Sequence, residues 1–121
     1  MMKQKIVKIS IICASHNGKY KLPKLIESIS NGYYIPEEII IVTTSLSDCL
    51  FLNKKISNKI KLKFFISKKK NQIYQRKLGI KKTKNNLILQ VDDDVLFYKD
   101  TLKNFFYNNF LLAIDLPLIY G

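Results

Sequence analysis

Four short aliphatic runs recur along the chain: Lys5 to Cys13, Glu38 to Thr43, Lys61 to Ile66 and Leu87 to Val91. Patterns of helical period stand between them, and that alternation constrains the fold more than any other feature. In Ile39-Ile40-Ile41-Val42 and Ile11-Ile12-Cys13 the apolar residues do not alternate with polar ones. Such strands are buried on both faces, as in the middle of a parallel sheet. Between the first two runs, Leu22, Leu25, Ile26 and Ile29 fall at i, i+3, i+4 and i+7, one apolar stripe of a helix. Pro23 suits its first turn and Asn31-Gly32 its end. Pro36 stands ahead of the second strand. Ser45 or Ser47 can cap a short helix through Leu50 and Leu52. Asn71 can cap a helix reaching about Lys82, with Ile73, Tyr74, Lys77 and Leu78 along one side and Gly79 weakening it. Leu102 to Phe110 reads as an aromatic-rich helix, and Leu111 to Tyr120 as the start of a fifth strand limited by Pro117. Strands alternating with helices imply an α/β fold, a mostly parallel open sheet with flanking helices and right-handed crossovers. In such sheets ligands bind at the carboxyl ends of the strands.

The chain has 121 residues, 47% of them hydrophobic. That suits one packed domain and excludes a multidomain machine, a fibre or a low-complexity tail. Residues 5–13 alternate Ile6, Lys8 and Ser10 against Val7, Ile9 and Ile11, a strand pattern rather than an export signal. No apolar run is long enough for a membrane-spanning helix. The formal charge is +12, from 21 Lys+Arg against 9 Asp+Glu, and Arg76 is the sole arginine. A chain rich in Lys, Ile and Asn fits the drift of an AT-rich genome as well as a selected basic surface. Scarce arginine argues against a nucleic-acid binder; attraction to phosphorylated ligands or anionic lipid headgroups is the milder functional reading. Lys68-Lys69-Lys70 reads as a solvated turn or a guide for anionic substrate. Cys13 and Cys49, with the single His16, do not make a standard zinc site. Buried free thiols in a reducing cytoplasm are expected instead.

Asp92-Asp93-Asp94 directly follows the fourth strand. Adjacent carboxylates repel one another, and a cation relieves them. In an extended segment Asp92 and Asp94 point the same way, which presents two hard oxygen ligands to one Mg²⁺ or Mn²⁺ whose remaining ligands are water and phosphate. The bland reading is a solvated acidic turn or the charged start of a helix. No Gly-rich phosphate loop and no serine nucleophile elbow occurs, and the first strand ends without an acid, in Ala14-Ser15-His16-Asn17.

Four segments, in this order, carry a family resemblance: Ile9 to Asn17, Glu38 to Asp48, Gln75-Arg76-Lys77-Leu78-Gly79-Ile80, and Leu87 to Val95 with its Asp-x-Asp. Together they resemble the nucleotide-sugar-binding N-terminal portion of a family 2 glycosyltransferase, of the inverting GT-A fold, from about Lys8 to Leu118. The resemblance implies a nucleotide-diphosphate sugar donor and a Mn²⁺ or Mg²⁺ ion bridging its diphosphate. Asp94 would bind that metal with Asp92 helping, and Asp93 or Asp92 would face the ribose. Ala14, Ser15, His16 and Asn17 would cradle base and ribose, with His16 where an aromatic often sits. Arg76 would contact the nucleotide. Thr43 and Thr44 stand where the family usually carries an acid for the base, and Lys77 replaces its usual Asn.

The resemblance implies that the chain, 1–121, is a single donor-binding portion of a truncated domain. The general base that deprotonates the acceptor hydroxyl is expected beyond Gly121, so no catalytic residue is assigned within the chain. An end here would expose apolar surface around Phe105, Phe106, Phe110 and Leu111. The acceptor, a glycan, a lipid-linked group or a protein, is left open; no nucleic-acid partner is expected. The chain is expected in the cytoplasm, with peripheral association at the inner, anionic face of the membrane. The competing readings are a non-catalytic nucleotide-binding remnant or interaction module and, more distantly, a basic nucleic-acid binder.

Overall fold

The structure, a computed structural model, describes residues 3–49 and 59–115. Its elements run β1 (Lys5–Ala14), α1 (Lys21–Ser30), β2 (Tyr34–Thr43), a 3₁₀ turn (Leu46–Asp48), β3 (Lys61–Ile66), α2 (Gln72–Lys81), β4 (Ile88–Val91) and α3 (Thr101–Asp115). The strands form one sheet in the order β3-β2-β1-β4, and every pairing is parallel. The expected α/β architecture is therefore present.

One face of the sheet is dry. Val7, Ile9, Ile11 and Cys13 of β1 and Ile35, Ile39 and Ile41 of β2 pack with Leu22, Leu25, Ile26 and Ile29 of α1 and with Leu102 of α3. Each such aliphatic side chain contributes about 1.5–3 kcal/mol by leaving water, so this layer dominates stability. The predicted α1 stripe is the buried one. Phe105 and Phe106 are half-buried against the same cluster, so part of the expected exposed apolar surface is already covered.

The opposite face is thinner. Ile12, Ile40 and Val42 meet α2, with Phe65, Leu78 and Ile88 at the margin. Of the four residues read along one side of α2, Leu78 packs against the sheet, whereas Ile73 is 65% exposed and Tyr74 and Lys77 face solvent; the buried positions are Gln75 and Gly79. The phase is set by close approach. A Cβ on Gly79 would lie 2.6 Å from Ile12 Cγ2, so the glycine lets the helix settle onto β1. Asn71 caps α2 as predicted, its side-chain oxygen accepting from the Tyr74 backbone N–H at 3.1 Å.

Three boundaries also differ. β2 begins at Tyr34 and runs through Pro36, because the β1 register shifts between Val7 and Ser10, opposite the proline that has no N–H to give. Residues 111–115 continue α3 rather than starting a strand; the rest of that expected strand lies outside the described residues. The short helix after β2 is a single 3₁₀ turn capped by Ser45, and its expected continuation through Leu50 and Leu52 also lies outside them.

On the α2 face, toward the amino ends of the strands, a carboxylate is sealed inside the fold. Glu38 accepts from Ser10 Oγ and from the Lys84 backbone N–H at 2.6 Å, and pairs with Lys63 Nζ at 2.8 Å. Burial pushes its carboxyl up. The hydrogen bonds from Lys63, Ser10 and Lys84 outweigh that, and the net displacement is below the ordinary glutamate value.

Candidate functional site

The chain builds β1, β2 and β3 outward in one direction, then returns to place β4 on the other side of β1. Loops leaving β1 and β4 therefore stand side by side at their carboxyl ends, the place where such sheets bind ligands, and border a crevice there. The β1 loop is Ser15-His16-Asn17-Gly18 and the β4 loop is Asp92-Asp93-Asp94.

A hydrogen bond spans the crevice: Ser15 Oγ donates to Asp93 Oδ2 at 2.7 Å. Both its ends are fixed by backbone. Ala14 and Ser15 are buried, and the Ser15 N–H donates to the Val42 carbonyl at 2.9 Å, extending the ladder past β1. Asn17 takes the left-handed conformation, φ 56°, which asparagine tolerates. Gly18 follows and leaves room for the Ser15 hydroxyl as it stands: a Cβ there would lie 2.1 Å from Ser15 Oγ. The Gly18 carbonyl then accepts from the backbone N–H groups of Lys21 and Leu22 and starts α1.

Asp92, Asp93 and Asp94 do not remain extended. The Val95 N–H donates to the Asp92 carbonyl at 3.3 Å, and the resulting turn sends the carboxylates different ways. Asp92 leans to the α2 side and pairs with Arg76 at 3.2 Å. Asp93 and Asp94 line a cleft of about 260 Å³ with Lys21, Lys24 and Leu96. Lys21 Nζ is 3.9 Å from Asp93 Oδ1, and Asp94 is exposed. The two acids that line this cleft are neighbours, Asp93 and Asp94, where a turn follows β4 in place of the pleat. Beneath them, the Cys13 thiol is pushed far above its ordinary range, first by burial and then by the charges of Asp93, Asp92 and Asp94.

The ends of β1 and β2 are held by a residue the sequence reading did not single out as functional. Gln75 of α2 is 2% exposed, and its Nε2 donates to the carbonyls of both Ser15 and Val42 at 2.9 Å. Its neighbour Arg76 is thereby carried to Asp92. On the rim, His16 Nδ1 and Thr44 Oγ1 share a hydrogen bond of 2.7 Å. Thr43 is buried and donates to Asp48 Oδ2 at 2.9 Å. An acid of the 3₁₀ turn, Asp48, thus stands behind Thr43 at the end of β2. Lys21 and Lys24 were missed as well, and nothing in helical periodicity marks an exposed lysine as a cleft wall.

Among the described residues no group of three or more His, Cys, Asp or Glu could hold a metal ion. The donor set does fit a hard cation completed by a ligand's phosphates, which draws one or two carboxylates from the protein.

A parallel sheet with flanking helices and an acidic turn at the carboxyl ends of its strands is the arrangement of a GT-A, Rossmann-like fold. The model of glycosyl transferase family 2 matches residues 10–107, and the chain belongs to that family. Among curated proteins there is no match. The crystal structure of S. aureus TarS 1-349 superposes with a TM-score of 0.70 at 23% identity, covering 84% of this chain and 32% of that one. Its complex with UDP gives 0.67 at 24%, covering 84% and 31%, and its complex with UDP-GlcNAc 0.65 at 23%, covering 84% and 30%. The chain thus spans about a third of the length of these structures, and at such identities the likeness is one of fold.

Proposed function

We propose that the chain binds the donor of a glycosyl transfer, a nucleoside-diphosphate sugar, in the crevice between the β1 and β4 loops. The observation that carries this reading is the Ser15–Asp93 bond across the crevice, beside a cleft walled by two acids and two lysines. Base and ribose take the rim formed by His16, Asn17 and Thr44, supported from beneath by the buried Ala14, Ser15 and Thr43, with Arg76 and Asp92 at its α2 side. The diphosphate enters the cleft, where Lys21 and Lys24 offset its charge. Asp94 holds a Mn²⁺ or Mg²⁺ ion. Asp93, rather than the expected Asp92, is the acid beside it; Asp92 is engaged by Arg76. When bound, the ion offsets the charge that gathers on the departing diphosphate. The structures of TarS with UDP and UDP-GlcNAc support a uridine nucleotide as the first ligand to try. Asp93 and Asp94 are the acids of the cleft and are occupied in this scheme, so neither is assigned as the base that activates the acceptor.

Thermal denaturation with UDP and Mn²⁺ tests the reading. At a hundredfold excess over Kd a ligand stabilises by about 2.7 kcal/mol, on the order of 10 °C for a chain of this size. Asp94→Asn should remove the metal-dependent part of the shift while leaving the ligand-free Tm within a degree or two. No shift for the unsubstituted chain with UDP, GDP or dTDP plus metal overturns the proposal.

A further inference from the structure

The positive charge of this protein is segregated. Residues 49–91 hold 13 of its 21 Lys and Arg and none of its nine acids; the remaining residues set eight cations against all nine acids. Drift toward lysine codons enriches lysine everywhere and does not clear one continuous stretch of acids. The described part of that stretch folds as the edge strand β3, the helix α2 and the strand β4. Lys63, Arg76 and Lys84 are drawn to Glu38, Asp92 and Glu37. On the outer side of α2 the composition differs. Ile73, Lys77 and Ile80 fall at i, i+4 and i+7, opposite the buried Gln75 and Gly79, and Tyr74 and Lys81 flank them. Ile73 is 65% exposed, and Tyr74 and Ile80 40% each. Lys69 Nζ lies 5.3 Å from the centre of the Tyr74 ring, so the exposed turn Lys68-Lys69-Lys70 adjoins the same face.

We propose that this face, the outer side of α2 with the lysine turn before it, docks on an anionic phospholipid bilayer. Exposed apolar side chains stand among lysines on this face: the lysines suit headgroup level, and Ile73, Tyr74 and Ile80 the boundary of the acyl region. Charge complementarity selects the partner, since an acid-free lysine surface is attracted to phosphate headgroups. Nucleic acid fits less well. Arg76 is paired with Asp92, and the apolar residues between the lysines are mainly aliphatic, whereas single strands are bound on stacked aromatic rings. The docked face also leaves the crevice accessible. α2 lies on one side of the sheet, and the cleft is walled on the other by Lys21 and Lys24 of α1. The inference stands whether or not the crevice binds a nucleotide.

Flotation of the whole chain with vesicles is the test, comparing pure phosphatidylcholine with vesicles containing about a third phosphatidylglycerol. Binding to the anionic vesicles should exceed binding to the neutral ones at least about tenfold and weaken with added salt. Each lysine near such a surface is worth roughly a fivefold change in binding, so Lys77→Glu with Lys81→Glu should lower it by more than about tenfold. Ile73→Ser with Ile80→Ser, at unchanged charge, should lower it several-fold. Both pairs are exposed, and an unchanged melting curve shows that the variants fold. Three results overturn the proposal: binding to neither vesicle or to both equally, full binding by the isoleucine variant, or tighter binding to single-stranded RNA that anionic vesicles do not displace.

Discussion

Ser10 inside β1 and Ser15 just past its end each give a hydroxyl hydrogen to a carboxylate, and the two pairs have opposite fates. Glu38, the partner of Ser10, has a fully buried side chain met by an ammonium group and a backbone N–H as well. Nothing is left over for a ligand, and the cluster ties β1, β2, β3 and the loop before β4 together. Asp93, the partner of Ser15, keeps 17% of its side chain exposed and meets a lysine only at 3.9 Å. Its neighbour Asp94 opens to solvent beside it. A carboxylate satisfied on every side is a structural element, because any ligand would have to displace bonds made at low dielectric. A carboxylate held by one bond at a rim is positioned yet available.

The sharpest way to break this contrast is Glu38→Ala. It leaves Lys63 and the Lys84 N–H without their acceptor and should cost about 3 kcal/mol in urea or thermal unfolding, while Asp94→Asn costs under about 0.5 kcal/mol. Next, Gly79→Ala drives a methyl group into Ile12. The overpacking should exceed the gain in helix propensity and leave a net loss of about 1–2 kcal/mol.

Acid titration separates the clusters more finely. The folded Glu38 carboxyl lies below its ordinary value of 4.5, so the unfolded chain takes up that proton first as pH falls. The stabilisation is whole above about pH 4.5 and is lost as pH drops through the folded value. Glu38→Gln should flatten that stretch of the stability profile, read by unfolding at successive pH values. Gly18→Ala should cost less stability than Glu38→Ala or Gly79→Ala. The added methyl meets the Ser15 hydroxyl, which can rotate away, so the loss should stay under about 1 kcal/mol. The rotation breaks the Ser15–Asp93 bond, and the shift with UDP and Mn²⁺ should fall at least by half. A variant that loses stability but keeps the ligand shift would show that the bond is structural, like that of Ser10.

The fold was largely legible because its signals are local. Doubly apolar runs become inner strands, and the i, i+3, i+4, i+7 stripe of α1 becomes its buried face, wherever the partners sit. α2 was misread for the opposite reason. Its buried residues are a glutamine and a glycine, with Leu78 beside them, and neither of the two advertises burial; one is buried with hydrogen bonds to two carbonyls and the other by having no side chain. The site was legible in part. Asp92, Asp93 and Asp94 stood out as a run, and Ala14 to Asn17 as the loop after the first strand. The division of labour among the three acids was not readable, because pleat geometry puts alternate residues together and a turn does not.

The sequence by itself determined the alternation of strands and helices, the place of the acidic turn after the fourth strand, and membership of glycosyl transferase family 2, since periodicity and motif order are properties of the chain. Only the tertiary structure decided that β4 returns beside β1 and brings Asp93 to Ser15, that Asp48 stands behind Thr43, and that Gln75 clasps both strand ends. Those contacts join residues distant along the chain or turned by a loop, and their geometry exists only once the sheet has closed around them.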